Sequence, residues 1–155
     1  SEVGKGTTFR IYLPIIQLEI EKATKQTLSI QKGGTETLLL AEDNDWVRSF
    51  LKIMLEKHGY TVIETTDGND AIDKFCENKD KINLLLLDVI MPGKNGKEVY
   101  NNAKELSPDI KALFMSGYTK DIINEDEIFK KGLNVISKPV LPAELLKKVR
   151  EVLDK

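Results

Sequence analysis

The chain has 155 residues, 41% of them hydrophobic and 31% charged, with a formal net charge of −2. That length carries one core of ordinary size plus an appendage, and a near-neutral balance without a basic block offers no footprint for nucleic acid. No apolar run approaches the roughly 18 residues of a membrane span, no signal-peptide pattern opens the chain, and the single cysteine, Cys76, excludes an internal disulfide. A cytoplasmic protein without direct membrane contact is expected.

Gly4-Lys5-Gly6 predicts a flexible turn, after which Phe9, Ile11 and Leu13 alternate with Thr8, Arg10 and Tyr12 up to Pro14. This is strand alternation, yet a lone strand has no partner for its apolar face. Residues 4–14 resemble the closing G-x-G-T-x-F segment and last strand of a histidine-kinase ATP-binding domain. The asparagine box and the D-x-G-x-G loop of that family are missing. The resemblance implies that residues 1–14 are a C-terminal remnant of such a domain, with no nucleotide site. Residues 15–35, mixed and ending in Lys32-Gly33-Gly34-Thr35, read as a linker.

From residue 36 the pattern is regular. Thr37 to Ala41 predicts a strand ending in Glu42-Asp43, and Asn44 or Asp45 can cap a helix striped by Val47, Phe50, Leu51, Met54 and Leu55. His58, in Lys57-His58-Gly59, sits where that helix should end and suits its last carbonyls. Tyr60 to Glu64 is a second strand, and Asp67-Gly68 turns into a helix packing Ala71, Ile72 and Phe75, with Cys76 beside them. Ile82 to Leu87 is the central strand: four consecutive leucines fit burial on both faces. It delivers Asp88 to its C-terminal end, where a carboxylate needs hydration, a partner or a metal.

Val99, Ala103 and Leu106 stripe a third helix, ended by Ser107-Pro108, and Ile110 to Met115 is a fourth strand ending in Ser116-Gly117. Residues 119–130 are weakly helical. Gly132 to Ile136 is a fifth strand ending in Ser137-Lys138-Pro139, and Pro142 starts a last helix with Leu145, Leu146, Val149, Val152 and Leu153 inward.

Five strand–helix units in ~120 residues predict an α/β protein, a flavodoxin-like doubly wound five-stranded parallel sheet of order 2-1-3-4-5 with helices on both faces. That order brings Glu42, Asp43 and Asp88 together, with Ser116 and Lys138 arriving from strands four and five. Each of these residues alone has an ordinary structural reading as a turn, a cap or a solvated charge. Three crowded carboxylates, however, resist ionisation without a cation. All-oxygen ligation suits Mg²⁺, and with Lys138 and Ser116 on the remaining phosphoryl oxygens, Asp88 becomes a candidate nucleophile forming an aspartyl phosphate.

Taken together, Glu42-Asp43, the Asp88-x-x-Met91-Pro92-Gly93-x-x-Gly96 loop, Ser116-Gly117 and Lys138-Pro139 make residues 36–155 resemble the receiver domain of two-component response regulators. The resemblance implies that Asp88 is the phosphoacceptor. It implies Mg²⁺ held by Asp43 and Asp88, by Glu42 mainly through water, and by the backbone carbonyl of Ile90. It further implies that Ser116 follows the phosphoryl group, that Lys138 pairs with it, and that the Lys138–Pro139 bond is cis. Where the family usually has Phe or Tyr three residues before the lysine, this chain has Val135, so a different coupling through the face of strands four and five is expected.

With the kinase-like segment ahead of it, the resemblance implies a receiver at the C-terminus of a hybrid histidine kinase. Its phosphoryl donor would be a kinase histidine, on this polypeptide or another, and its acceptor water or a histidine phosphotransfer protein. A pseudo-receiver that docks without phosphorylation is the alternative, although every charged residue of the constellation is present. A flavodoxin-like cofactor protein would need a phosphate loop where Glu42-Asp43-Asn44-Asp45 stands. A haloacid-dehalogenase-type phosphatase would need Asp where Ile90 stands.

Overall fold

The computed structural model describes residues 4–7, 9–12, 33–117 and 133–155. The chain divides into two units, Ser1–Ile30 and Gln31–Lys155. In the first, Gly4 and Gly6 both have φ of 82°, as the predicted turn requires. The predicted strand does not follow: residues 9–12 carry none, and Gly6 makes only an isolated bridge. An alternating segment becomes a strand only when a second strand takes up its backbone groups, and among the described residues none pairs with this one.

The second unit holds a five-stranded parallel sheet, β1 (Thr37–Ala41), β2 (Thr61–Thr65), β3 (Ile82–Asp88), β4 (Lys111–Ser116) and β5 (Asn134–Ser137), in the order β2-β1-β3-β4-β5. Four helices are described: α1 (Asp45–Glu56), α2 (Gly68–Asn78), α3 (Gly96–Leu106) and α4 (Pro142–Leu153). The predicted weak helix over 119–130 and the first residue of the predicted fifth strand lie outside the described residues. Strands two and four begin and end one residue later than expected, because ladder pairing rather than apolar content sets a strand's ends.

The leucine runs make sense strand by strand. Side chains alternate across a strand, so Leu38, Leu40, Leu84 and Leu86 face Leu51, Met54 and Leu55 of α1 and Leu145, Leu146, Val149 and Val152 of α4. Leu39, Ala41, Leu85 and Leu87 face Ala71 and Phe75 of α2 and Val99 and Ala103 of α3. Both faces are covered, so no polar position is tolerated between the four leucines. Each is fully buried, and truncating one to alanine costs about 3 kcal/mol.

Three helices start on side-chain caps. Asn44 accepts from the amides of Trp46 (3.1 Å) and Val47 (3.2 Å), and Asp67 from those of Asn69 (2.8 Å) and Asp70 (3.0 Å). Asn95 and Glu98 form a reciprocal capping box at 3.0 Å each way. Each cap is worth about 1 kcal/mol. At the other end of α1, the His58 ring Nδ1 lies 2.8 Å from the Met54 carbonyl, as expected for a residue finishing that helix. Cys76 is exposed.

Two expected core residues turn outward. Phe50 is 50% exposed because the buried arc of α1 runs through Arg48, Leu51, Met54 and Leu55, leaving Phe50 beside Trp46 and Ile53 on the outer face. Leu106 is the last residue of α3, where the chain turns away at Ser107, and it too is largely exposed.

Candidate functional site

All the chemistry-bearing residues predicted from the sequence lie at the C-terminal edge of the sheet. Ala41 pairs with Leu87, so Glu42 arrives level with Asp88, the last residue of β3. Ser116 closes β4 and pairs with Ser137, which places Lys138 one step beyond. The Lys138 amide donates to the Ser116 carbonyl at 2.6 Å, and the Lys138–Pro139 bond is cis.

The side chains converge. Lys138 Nζ lies 2.7 Å from Glu42 Oε2 and 2.7 Å from Asp88 Oδ2, bridging the two carboxylates. The other oxygen of Asp88 accepts from the Ile90 amide at 3.2 Å, and the Ile90 side chain is exposed. Asn44 donates its amide to Glu42 Oε1 at 3.4 Å. Glu42 is 1% exposed and Asp88 and Ser116 are also buried, whereas Asp43 is exposed at the rim.

The loop after Asp88 is built around glycines. Gly93 has φ of 73°, and a Cβ at Gly96 would stand 2.3 Å from the Asp88 carbonyl oxygen. Only a glycine lets α3 start that close to the end of β3.

Charge is in excess here. Burial pushes the Glu42 carboxyl above its ordinary value, and the nearby Asp88 adds to the push, against the pull of Lys138. Burial alone would lower Lys138, but the hydrogen bonds it donates to Asp88 and Glu42 carry its ammonium above the usual lysine value. One ammonium therefore serves two carboxylates. Ligand oxygens of Glu42, Asp43 and Asp88 lie within 4.8 Å of one another. An all-carboxylate set with one open, exposed member fits a hard divalent cation such as Mg²⁺, which keeps several waters.

Sequence reasoning missed one contributor, Arg48, whose guanidinium donates to the main-chain carbonyls of the acidic pair. The available signal was an arginine on the first turn of a helix where the apolar stripe calls for a neutral residue.

Residues 38–150 match the response regulator receiver domain family. The chain is 32% identical, over 169 aligned positions taking in all of it, to the sensor kinase CckA of Brucella abortus (strain 2308), of which it spans 17% of the length. It is 34% identical over 116 residues to the response regulator receiver protein CpdR of the same organism, covering 75% of this chain and 95% of that one. Among solved structures, a CheY-like receiver domain protein from Methanospirillum hungatei JF-1 is 29% identical, with a TM-score of 0.70 over 78% of this chain and 95% of that one.

Proposed function

From the premise that this chain belongs to the response regulator receiver domain family of two-component signalling, we propose that Asp88 accepts a phosphoryl group from a kinase histidine. The observation that carries the proposal is the environment of Asp88. A carboxylate is set at the end of a buried strand, one oxygen on the Ile90 amide and the other on Lys138, with two more carboxylates within ligand distance.

In this reading an Asp88 oxygen attacks phosphorus while the phosphorus–nitrogen bond to the imidazole breaks. The nitrogen keeps the electron pair and takes up a proton, leaving an acyl phosphate on Asp88. Lys138 is already in place to neutralise charge on the transferring group, and Ser116, buried at the end of β4, supplies a hydroxyl to one of its oxygens. Asp43 and Asp88, with Glu42 mainly through water and the Ile90 carbonyl, would hold Mg²⁺. When bound, that ion offsets the carboxylates' repulsion of the incoming phosphoryl group.

The parent protein in this proposal is a hybrid histidine kinase in a phosphorelay. Residues 1–14 are the end of its ATP-binding domain, 15–35 a linker and 36–155 the receiver. The likeness to a sensor kinase, which runs through the residues ahead of the receiver, supports that order. The donor is a histidine kinase's phosphodonor domain, and a histidine phosphotransfer protein is the onward acceptor. On α1, Trp46, Phe50 and Ile53 recur at i, i+4 and i+7 as an outward apolar stripe starting beside the acidic pair, which supports docking of a helical partner there. No helix among the described residues is long and apolar enough to cross a membrane, and a cytoplasmic setting suits the single exposed cysteine. Val135 packs half-buried against the cluster that contains Phe114, and a valine has no ring to swing, which supports a weaker or different coupling through β4 and β5.

Intact-mass measurement after incubation with acetyl phosphate tests the proposal. One phosphoryl adduct that requires Mg²⁺ and vanishes in Asp88→Asn is expected. No adduct on the wild type, together with no Mg²⁺ binding, overturns it in favour of a docking module that works without phosphorylation.

A further inference from the structure

Arg48 stands on the first turn of α1 with only 11% of its side chain exposed. Its Nη1 donates to the main-chain carbonyl of Glu42 at 2.8 Å and to that of Asp43 at 3.3 Å. Its Nη2 pairs with the Asp45 carboxylate, and its Nε lies 4.0 Å from Glu64 Oε2. A buried guanidinium is expensive to desolvate, and an apolar residue would join α1 to the sheet at lower cost. What a guanidinium offers instead is a rigid planar array of donors: Nη1, with its two N–H groups, reaches both adjacent carbonyls while Nη2 is anchored on Asp45. Those carbonyls belong to the acidic pair.

We propose that Arg48 is a positioning residue, fixing the main chain of Glu42 and Asp43 so that both carboxylates are aimed at the space beside Asp88. Lys138 holds the acidic site through the carboxylate oxygens Glu42 Oε2 and Asp88 Oδ2, while Arg48 holds it through the backbone. The inference rests on the Mg²⁺-dependent phosphoacceptor reading given above.

Two roles for Arg48 have opposite signs. If it acted only as a positive charge near a cation site, its removal would tighten Mg²⁺ binding by relieving repulsion. If it positions the ligands, its removal loosens a preorganised set, for which outer partners of metal ligands typically count about tenfold or more.

Calorimetric titration of Mg²⁺ into the full chain, without any phosphodonor, separates them. Arg48→Gln is expected to bind Mg²⁺ about tenfold more weakly. Arg48→Lys, which keeps the charge but loses the planar array, is expected to bind more weakly than wild type by a smaller factor. Leu51→Ala, a core truncation on the same helix, loses stability and leaves the affinity unchanged. At saturating Mg²⁺ the rate of phosphorylation by acetyl phosphate in Arg48→Gln recovers to the wild-type value, because only the holding of the ligands was lost. Unchanged or tighter binding in Arg48→Gln overturns the inference, as does an equal loss in Leu51→Ala. Should Arg48→Gln fail to fold, Arg48→Lys decides alone, an unchanged affinity overturning the inference. Mg²⁺ binding in the wild type but no effect of Arg48 leaves the phosphoacceptor reading standing. No binding in the wild type removes both.

Discussion

Glu36 and Glu42 bracket strand β1, one just before it and one just after, and the fold treats their carboxyls in opposite ways. Glu36 Oε1 meets Arg150 Nη2 at 2.8 Å, and that guanidinium also holds Asp154 at 2.7 Å. The hydrogen bond from Arg150 keeps the Glu36 carboxyl below its ordinary value, and Arg150 is raised in turn. Glu42, at the other edge, is buried, shares its cation with Asp88 and has its carboxyl pushed up. At the first edge one guanidinium also serves two carboxylates and Glu36 Oε2 is buried without a hydrogen-bond partner among the described residues, yet the bond from Arg150 outweighs the burial of Glu36. The other carries unresolved negative charge, the condition under which a bound cation or an incoming phosphoryl group changes most.

Four substitutions sharpen or break that contrast, beginning with the most severe. Asp88→Asn abolishes the phosphoryl adduct in intact-mass measurements, while far-ultraviolet circular dichroism shows the fold retained. An adduct of undiminished yield in this variant would move the acceptor elsewhere.

Lys138→Met leaves two buried carboxylates without their shared ammonium and costs about 3 kcal/mol in metal-free urea unfolding. Added Mg²⁺ should restore part of that loss in the variant, and a variant as stable as wild type without metal would show that the bridge contributes nothing. The pH dependence has a defined sign. The folded-state value of Lys138 is raised, so its stabilisation is full below 10.5 and lost as pH rises through the folded value.

At the quiet edge, Glu36→Gln removes one partly exposed ion pair and costs about 1 kcal/mol at neutral pH. Because the folded Glu36 value lies below the ordinary 4.5, the wild type holds this advantage above that pH and loses it as pH falls through the folded value. Denaturation midpoints of wild type and variant should therefore converge in acid, and parallel curves would refute the assignment.

Glu42→Gln should have the smallest effect on stability and the opposite direction. Its folded value is raised, so ionised Glu42 begins to cost stability as pH climbs above 4.5, and the glutamine variant gains on wild type over that range. A fall in metal-free melting temperature at pH 7 would mean that the Lys138 pair outweighs the burial.

Much of this was legible in the residues, for identifiable reasons. Leu84 to Leu87, bounded by polar residues, fit a strand covered on both sides, and that reading set the sheet class and the end at which Asp88 emerges. The Asp67-Gly68 turn marked the start of α2, where Asp67 caps the helix, and the capping choice for α1 was narrowed to Asn44 or Asp45, of which the structure selects Asn44. The illegible parts depend on tertiary geometry. Phe50 and Arg48 lie on opposite shoulders of the same helical stripe, and only the tilt of α1 on the sheet decides which is buried. Composition argues for the wrong one. The strand order does bring Lys138 to the edge where Glu42 stands, 96 residues away, but does not tell that its ammonium bridges Glu42 and Asp88. The apolar alternation of residues 8–13 was readable, but a pattern specifies a strand only in company.

The one tryptophan, Trp46, stands two residues past the α1 cap and is 87% exposed, although most large aromatics are drawn inward. Its indole already sees water in the native state, so its emission maximum should scarcely move when the domain unfolds. A protein that covers the start of α1 would instead carry the ring into an apolar setting and shift the emission to the blue. The chain thus contains a built-in optical probe that is nearly blind to denaturation and sensitive to company.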